Sequence, residues 1–210
     1  MGNNGDDRAT ESGEEEQAEK VDAVAIEAIR QALLETTLKI GKRGDDDASK
    51  ICGNAPSFMR LSQGNDTVKE VVLYLHGDYH HDYKILRVLG KSFGNLRALR
   101  VVTIYSHRFV CRNEGDDDLA DYRVAESLYW QAFTGALGRV RHPIEFRLEG
   151  NYCDCIEDFA VAIQGVSTIQ SFHFGENTVL RESADILMSA LASLPSLESV
   201  TLGGGGLLLL

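Results

Sequence analysis

Several kinds of residue are scarce in the 210-residue chain, and each deficit excludes a class of protein. The chain has only four cysteines, Cys52, Cys111, Cys153 and Cys155, too few to serve as a disulfide scaffold at this length. A reduced intracellular compartment, cytoplasmic or nuclear, is therefore expected. No run approaches the roughly 20 apolar residues that a membrane-spanning helix needs. The polar N-terminus also lacks the apolar centre of a signal peptide.

Basic charge is scarce as well. The chain has 21 Lys and Arg against 32 Asp and Glu, which gives a net charge of -11 and a pI of about 5.0. A general nucleic-acid binder needs a basic surface, and an anionic membrane repels an acidic one, so we expect neither as a partner. Much of the acidity lies in residues 1–20, which have almost nothing to bury and are predicted to form a disordered tail.

A short pattern recurs through the rest of the chain. Residues 169–177 read IQSFHFGEN, with apolar side chains at the first, fourth and sixth positions and Asn177 at the ninth. The alternation predicts a short strand, and the terminal amide could bind the backbone of a sharp turn. Similar segments begin at Val68, Leu99, Pro143 and Leu197, with start-to-start spacings of 31, 44, 26 and 28 residues.

In chain order, the five predicted strands begin at Val68, Leu99, Pro143, Ile169 and Leu197. Helix-like segments follow the first four of them, over residues 85–96, 124–137, 156–166 and 183–194. A near-constant unit of this length is typical of a solenoid, because one unit alone cannot bury both of its layers. We assign residues 21–40 to an amphipathic helix, as an N-terminal cap or a partner-binding helix, and 41–57 to a linker. Repeats cover 58–202 and a Gly/Leu tail covers 203–210. The acidic insertion 111–123 is either a solvated loop or a binding loop.

The unit around residues 167–202 resembles the leucine-rich repeat of the ribonuclease-inhibitor-like class. The strand pattern is followed by Ala184, Leu187, the Ala190-Leu191 pair and the sequence LPSL. The resemblance extends over about 60–202, with departures where Asn is missing from the first two units. It implies an α/β fold, a right-handed leucine-rich-repeat solenoid with about five parallel strands on the concave face and helices on the convex face. It also implies a non-enzymatic protein-binding scaffold, which is the role of most members.

Alternate strand residues are expected to point between the layers, and the others to face outward. The buried set comprises Val102, Ile104, Phe146, Leu148, Phe172, Phe174, Val200 and Leu202. Across the strands, Val72, Thr103, Arg147, His173 and Thr201 should form a central row on the outward side. The predicted partner-binding residues are Tyr74, Thr103, Tyr105, Glu145, Arg147, Glu149, Ser171, His173 and Thr201. Tyr and Arg favour this interpretation because they dominate interface hot spots; a solvated face without a partner is the alternative.

Sequence features that would indicate other functions are weaker. Residues 90–94, GKSFG, match the GxSxG of hydrolases, but no strand precedes Ser92, so a small hydrolase is a minor alternative. His and Cys clusters around His80 and Cys153 lack the usual zinc spacing, and we predict no metal, no cofactor and no catalytic residue. An adaptor or GTPase regulator with the same fold, and self-association through an uncapped C-terminal edge, stay open.

Overall fold

The computed structural model describes residues 23–41, 53–75, 79–106, 130–149, 152–153, 156–175, 178–179 and 181–203. Several expectations lie outside these residues. They are the acidic tail 1–20, the insertion 111–123, the tail from residue 204 onward, and the side chains at the Asn position, His76, His107, Asn151 and Asn177.

Within the described residues, one parallel sheet of six strands forms one layer of the molecule. Its strands are β1 (Thr37–Ile40), β2 (Glu70–Leu75), β3 (Val101–Ser106), β4 (Ile144–Glu149), β6 (Ile169–Gly175) and β8 (Ser199–Leu202), and they lie side by side in chain order. The short strands β5 (Tyr152–Cys153) and β7 (Thr178–Val179) form a separate parallel pair. The predicted α/β architecture with a parallel sheet is thus confirmed, although the sheet has six strands rather than five.

The helices form the second layer. They are α1 (23–32), α2 (Ala55–Leu61), α3 (Tyr79–Ser92), α4 (130–137), α5 (Ile156–Ile163) and α6 (Arg181–Ala192), with a short 3-10 turn at Phe93–Asn95. Along the chain, α1 precedes β1, and one helix then connects each successive pair of sheet strands. Apolar side chains of these helices, such as Phe58, Leu89 and Phe159, share one core with alternate strand residues.

The register of the strands aligns equivalent residues of successive units. Val71 pairs with Val102, Val102 with Phe146, Phe146 with Phe172, and Phe172 with Val200. The predicted alignment of the five units is therefore confirmed at these positions. The first four of these side chains are buried between the layers.

Aromatic rings fill the middle of this core. Phe146 of β4 lies 5.4 Å from Phe133 of α4, 5.8 Å from Phe159 of α5 and 5.7 Å from Phe172 of β6, measured between ring centroids. Trp130 extends the cluster, at 4.7 Å from Phe159. Centroid separations of this size are typical of attractive aromatic pairs. Phe146 thus contacts rings of its own unit and of the units on both sides of it.

We expect Phe146→Ala to lower the free energy of unfolding by about 3–5 kcal/mol, because it leaves a cavity among rings that cannot collapse together. Val161→Ala is the control, since Val161 on α5 is 63% exposed and its truncation should cost less than about 0.5 kcal/mol. Equilibrium denaturation with urea measures both. Equal stability of the two variants would contradict the assignment of Phe146 to the central core.

The helix predicted over 21–40 is wrong in its second half. α1 ends at residue 32, and Thr37–Ile40 form the edge strand β1, which pairs with β2. Leu38 and Ile40 point into the core at the strand period of two. The repeat pattern does not identify this strand, because Glu35 stands where the other units have an apolar first residue. The predicted linker 41–57 likewise includes the start of α2 at Ala55.

Two further details of the repeats differ from expectation. The first apolar position of the fourth strand is Ile144 and not Pro143, because Ile144 pairs with Ile169 and the register shifts between Ile144 and Glu145. Val200 and Leu202 were expected to be buried but are 38% and 50% exposed. β8 is the last strand of the sheet, and no helix among the described residues follows it to cover these side chains.

Polar side chains connect neighbouring units at the amino ends of the strands. Asn65 accepts hydrogen bonds from the backbone N–H groups of Thr67 (3.1 Å) and Val68 (2.9 Å). Its amide donates to the carbonyl of Leu33 at 2.8 Å. Thr168 similarly donates to the carbonyl of Leu137 at 3.1 Å. Such bonds satisfy backbone groups in the turns, so that the strands can begin in register.

Candidate functional site

The side of the sheet opposite the helices carries three rows of outward side chains, which we call the open face. Each row crosses the strands at one register position. The first row is Thr37, Glu70, Val101, Glu145, Ser171 and Ser199. The second is Lys39, Val72, Thr103, Arg147, His173 and Thr201. The third is Tyr74, Tyr105, Glu149 and Gly175. All nine residues predicted from the sequence lie in these rows, and the predicted central row is in the expected register.

Thr103 differs from the expectation that it contacts solvent. It is only 3% exposed, and its hydroxyl lies 3.4 Å from Glu70 Oε1, to which it donates. The hydroxyl of Thr37 donates to the other oxygen of the same carboxylate at 3.1 Å. Glu70 therefore bridges β1, β2 and β3 across the open face. Thr103 supports this carboxylate and offers little surface for contact.

Two tyrosines form the aromatic part of the open face. The rings of Tyr74 and Tyr105 stack with centroids 5.1 Å apart and planes 10° from parallel. Their residues are direct neighbours in the register of β2 and β3. Tyr105 is 37% exposed, so the pair presents a rigid aromatic surface to solvent. A ring held in this way loses little conformational entropy when it binds.

One ion pair and one histidine–carboxylate contact hold four polar side chains of the open face. Arg147 donates from Nε to Glu145 Oε1 at 2.7 Å, and His173 Nε2 lies 3.1 Å from Glu149 Oε1. The hydrogen bond with Glu145 raises the pKa of Arg147 further, so its guanidinium stays charged. Both pairs are partly exposed, which limits their contribution to stability. Their main effect is to fix the directions of four polar side chains.

Gly175 leaves room for the contact between His173 and Glu149. A β-carbon at this position would overlap the carboxylate of Glu149 and lie 2.8 Å from His173 Nε2. Any larger residue here would push these two side chains aside, so the bare backbone of Gly175 lets Glu149 and His173 lie over it. The third row thus has an aromatic part, Tyr74 and Tyr105 on β2 and β3. It continues as a polar part at Glu149 and Gly175 on β4 and β6.

The sequence-based prediction missed two charged residues of the open face. Glu70 precedes the apolar residues of its strand, at the register position of Glu145, and this equivalence was the signal that could have identified it. Lys39 was missed because its strand was predicted as helix. With both included, the described open face has three carboxylates, those of Glu70, Glu145 and Glu149, against two permanent cations.

The geometry at Ser92 does not match a nucleophile elbow. Ser92 is fully buried at the end of α3, and its hydroxyl donates to the carbonyl of Val88 at 3.1 Å. A nucleophilic serine of that class is exposed on a sharp turn from strand to helix. The hydrolase alternative therefore has no geometric support at this residue.

Metal-binding clusters and membrane-spanning helices are both missing from the residues that the structure describes. Within them, no cluster of three or more His, Cys, Asp or Glu side chains could hold a metal ion. Likewise, none of the helices in this part of the chain has the length and apolar character needed to cross a membrane.

Comparison with known proteins leaves the family open. The chain matches no protein-family model and no curated protein at a significant level. The resemblance to leucine-rich repeats therefore depends on the sequence pattern and on the parallel arrangement of strands and helices.

We expect the phenol of Tyr105 to titrate above the ordinary tyrosine value. Partial burial raises its pKa most, the negative charge of Glu149 raises it further, and Tyr74 and Glu70 add to this. Because the folded state favours the neutral phenol, its contribution to stability is complete below the ordinary value and is lost as pH rises through the raised pKa. Carbon-13 NMR of the Tyr105 Cζ atom measures the titration.

Glu149→Gln should shift this titration to lower pH, because it removes the charge that raises the pKa of Tyr105 most after burial. Glu27→Gln is the control, since Glu27 lies on the exposed surface of α1 and pairs there with Gln31 and Arg30. An unchanged Tyr105 pKa in Glu149→Gln would contradict the electrostatic coupling within the third row.

Proposed function

We propose that this protein is a non-enzymatic interaction scaffold of the ribonuclease-inhibitor-like leucine-rich-repeat type. Its partner would be a protein that binds the open face. The observation that carries the proposal is the set of three polar and aromatic rows, which no helix covers within the described residues. The sequential order of the parallel strands supports the repeat class, because adjacent units of a solenoid are neighbours along the chain.

The chemistry of the open face suits protein recognition. Tyr and Arg supply most of the binding energy at protein interfaces, and Tyr105 and Arg147 are both partly exposed there. The tyrosine stack and the ion pair between Arg147 and Glu145 already hold these side chains in fixed directions. Preorganisation of this kind lowers the entropic cost of binding. The excess of carboxylates over permanent cations favours a partner with a basic surface.

The proposal predicts that Tyr105→Ala combined with Arg147→Ala weakens partner binding by about 30-fold or more, as expected for the loss of hot-spot residues. The wild-type chain, bearing a cleavable cross-linker, would first identify partners in native cell extract. Each purified partner would then be titrated against wild type and variants by calorimetry.

Val161→Ala combined with Met188→Ala provides the matched control. Both side chains are exposed, at 63% and 46%, and belong to the helix layer. This control should bind as the wild type does. If the control loses binding while the open-face variant retains it, the partner uses the helix layer and the proposal is wrong. Thermal unfolding of all three chains ensures that only folded proteins are compared.

An adaptor or GTPase regulator with the same fold is the narrower version of this function. It would use the same open face. The identity of the partner found by cross-linking distinguishes this function from that of a general scaffold. The sequence identifies no activating residue, so the broader proposal is preferred.

A second candidate function is self-association through β8. This strand is an edge of the described sheet, and Val200 and Leu202 expose apolar side chains beside a backbone edge that pairs with no described strand. Such edges readily pair with another strand. We expect the sedimentation mass to rise with concentration, and Leu202→Lys to abolish this rise by placing a charge in the contact. A constant monomer mass at all concentrations would exclude this candidate.

A further inference from the structure

A groove with a different chemistry lies in the helix layer, between α3 and α4. Its volume is about 190 Å³, and small residues form much of its wall, namely Gly90, Ala132, Gly135 and Ala136. α3 and α4 approach closely here, since a β-carbon on Gly90 would lie 3.1 Å from the β-carbon of Ala136. By contrast, a β-carbon on Gly135 would meet no atom within 4 Å. Gly135 therefore borders free space in the groove.

Three cations surround this apolar groove. Arg87 and Lys91 lie four residues apart on α3, so they occupy the same side of the helix. Arg139, just after α4, donates from Nη1 to the carbonyl of Gly90 at 3.4 Å. This bond brings its guanidinium to α3, beside the positions of the other two cations.

Among the described residues, no acidic side chain lines the groove, and none of the three cations forms an ion pair with a described carboxylate. The arrangement is unusual in a chain with a net charge of -11. Like charges placed together repel one another, and an anion bound between them relieves that repulsion. The charge of the described residues at this groove therefore favours the binding of an anion.

We propose that the groove between α3 and α4 binds the phosphoryl group of a phosphoserine or phosphothreonine in a partner protein. A phosphomonoester carries up to about two negative charges and three acceptor oxygens, which match three cationic donors. Arginine binds such oxygens with paired N–H groups. A single carboxylate has one charge and would leave most of these donors unused. The small apolar residues provide contact for the side-chain carbon atoms that carry the phosphate.

A phosphorylated protein segment fits better than a nucleic acid, because the long phosphate backbone of a nucleic acid would meet the acidic charge of the whole chain. The groove also lies on the opposite side of the sheet from the open face. Its occupancy is therefore independent of the proposed scaffold function, and either can fail without the other.

The test uses the full chain and a peptide library with a fixed central phosphoserine and random flanking residues. Matched libraries carry serine or glutamate at the centre. We expect retention by the phosphoserine library to exceed retention by the serine library by about tenfold or more at low salt, because charge-assisted hydrogen bonds form only with the phosphate. Added salt should weaken binding. Equal retention by the phosphoserine and serine libraries would overturn the proposal.

Three variants locate the binding. Arg87→Gln with Lys91→Gln and Arg139→Gln should abolish the preference for phosphoserine. Arg60→Gln with Arg97→Gln and Arg100→Gln removes the same charge from exposed positions outside the groove and should preserve it. Gly135→Leu should block the groove while leaving its cations in place. If the first variant or Gly135→Leu binds as the wild type does, the phosphate binds elsewhere and the proposal fails.

Inorganic phosphate separates a free anion from a phosphorylated side chain. It should compete with the selected phosphopeptide only at concentrations about tenfold or more higher than the unlabelled peptide itself requires, because it cannot contact the apolar wall. Equal potency of the two competitors would identify a general anion site and overturn the assignment to a protein partner. Circular dichroism melting curves of each variant confirm that folded proteins are compared.

Discussion

The register between parallel strands is the constraint on which the other features depend. Val71, Val102, Phe146 and Phe172 occupy one row because each strand pairs with the next without changing the inward position. A slip of one residue would turn every one of these side chains outward. The helices can bury these side chains only when the strands are in the observed register. The core and the register therefore stabilise each other.

The same register creates the open face. Since successive strand residues alternate between the two sides, aligning the buried rows also aligns the rows between them. Tyr74 meets Tyr105 as a direct consequence, and Arg147 becomes the neighbour of both Thr103 and His173. The alignment of the buried apolar rows therefore also fixes the alignment of the polar rows on the open face. Substitution of an exposed residue can change recognition while the fold is retained, which is the condition that a binding scaffold requires.

Much of this arrangement follows from the sequence because it depends on local periodicity. The repeated spacing correctly aligned Val71 with Val102 and placed Tyr105 and Arg147 on one face. It failed at β1, where Glu35 interrupts the pattern and only pairing with β2 establishes the strand. It also failed for Thr103, whose burial depends on tertiary surroundings that include Glu70. The groove was missed because Arg87 and Arg139 belong to separate units, and their proximity depends on how α3 packs against α4.

Two surfaces of opposite chemistry thus lie on the two sides of the sheet. Carboxylates exceed permanent cations on the described open face, whereas the described charged residues that line the groove between α3 and α4 are all cations. Charges of one sign repel when concentrated, so such separation is electrostatically costly unless each surface meets a complementary partner. The core between them consists of close-packed apolar side chains and keeps the two surfaces apart. A partner that presents basic residues to one surface and a phosphate to the other could bind both only by passing around the edge of the sheet.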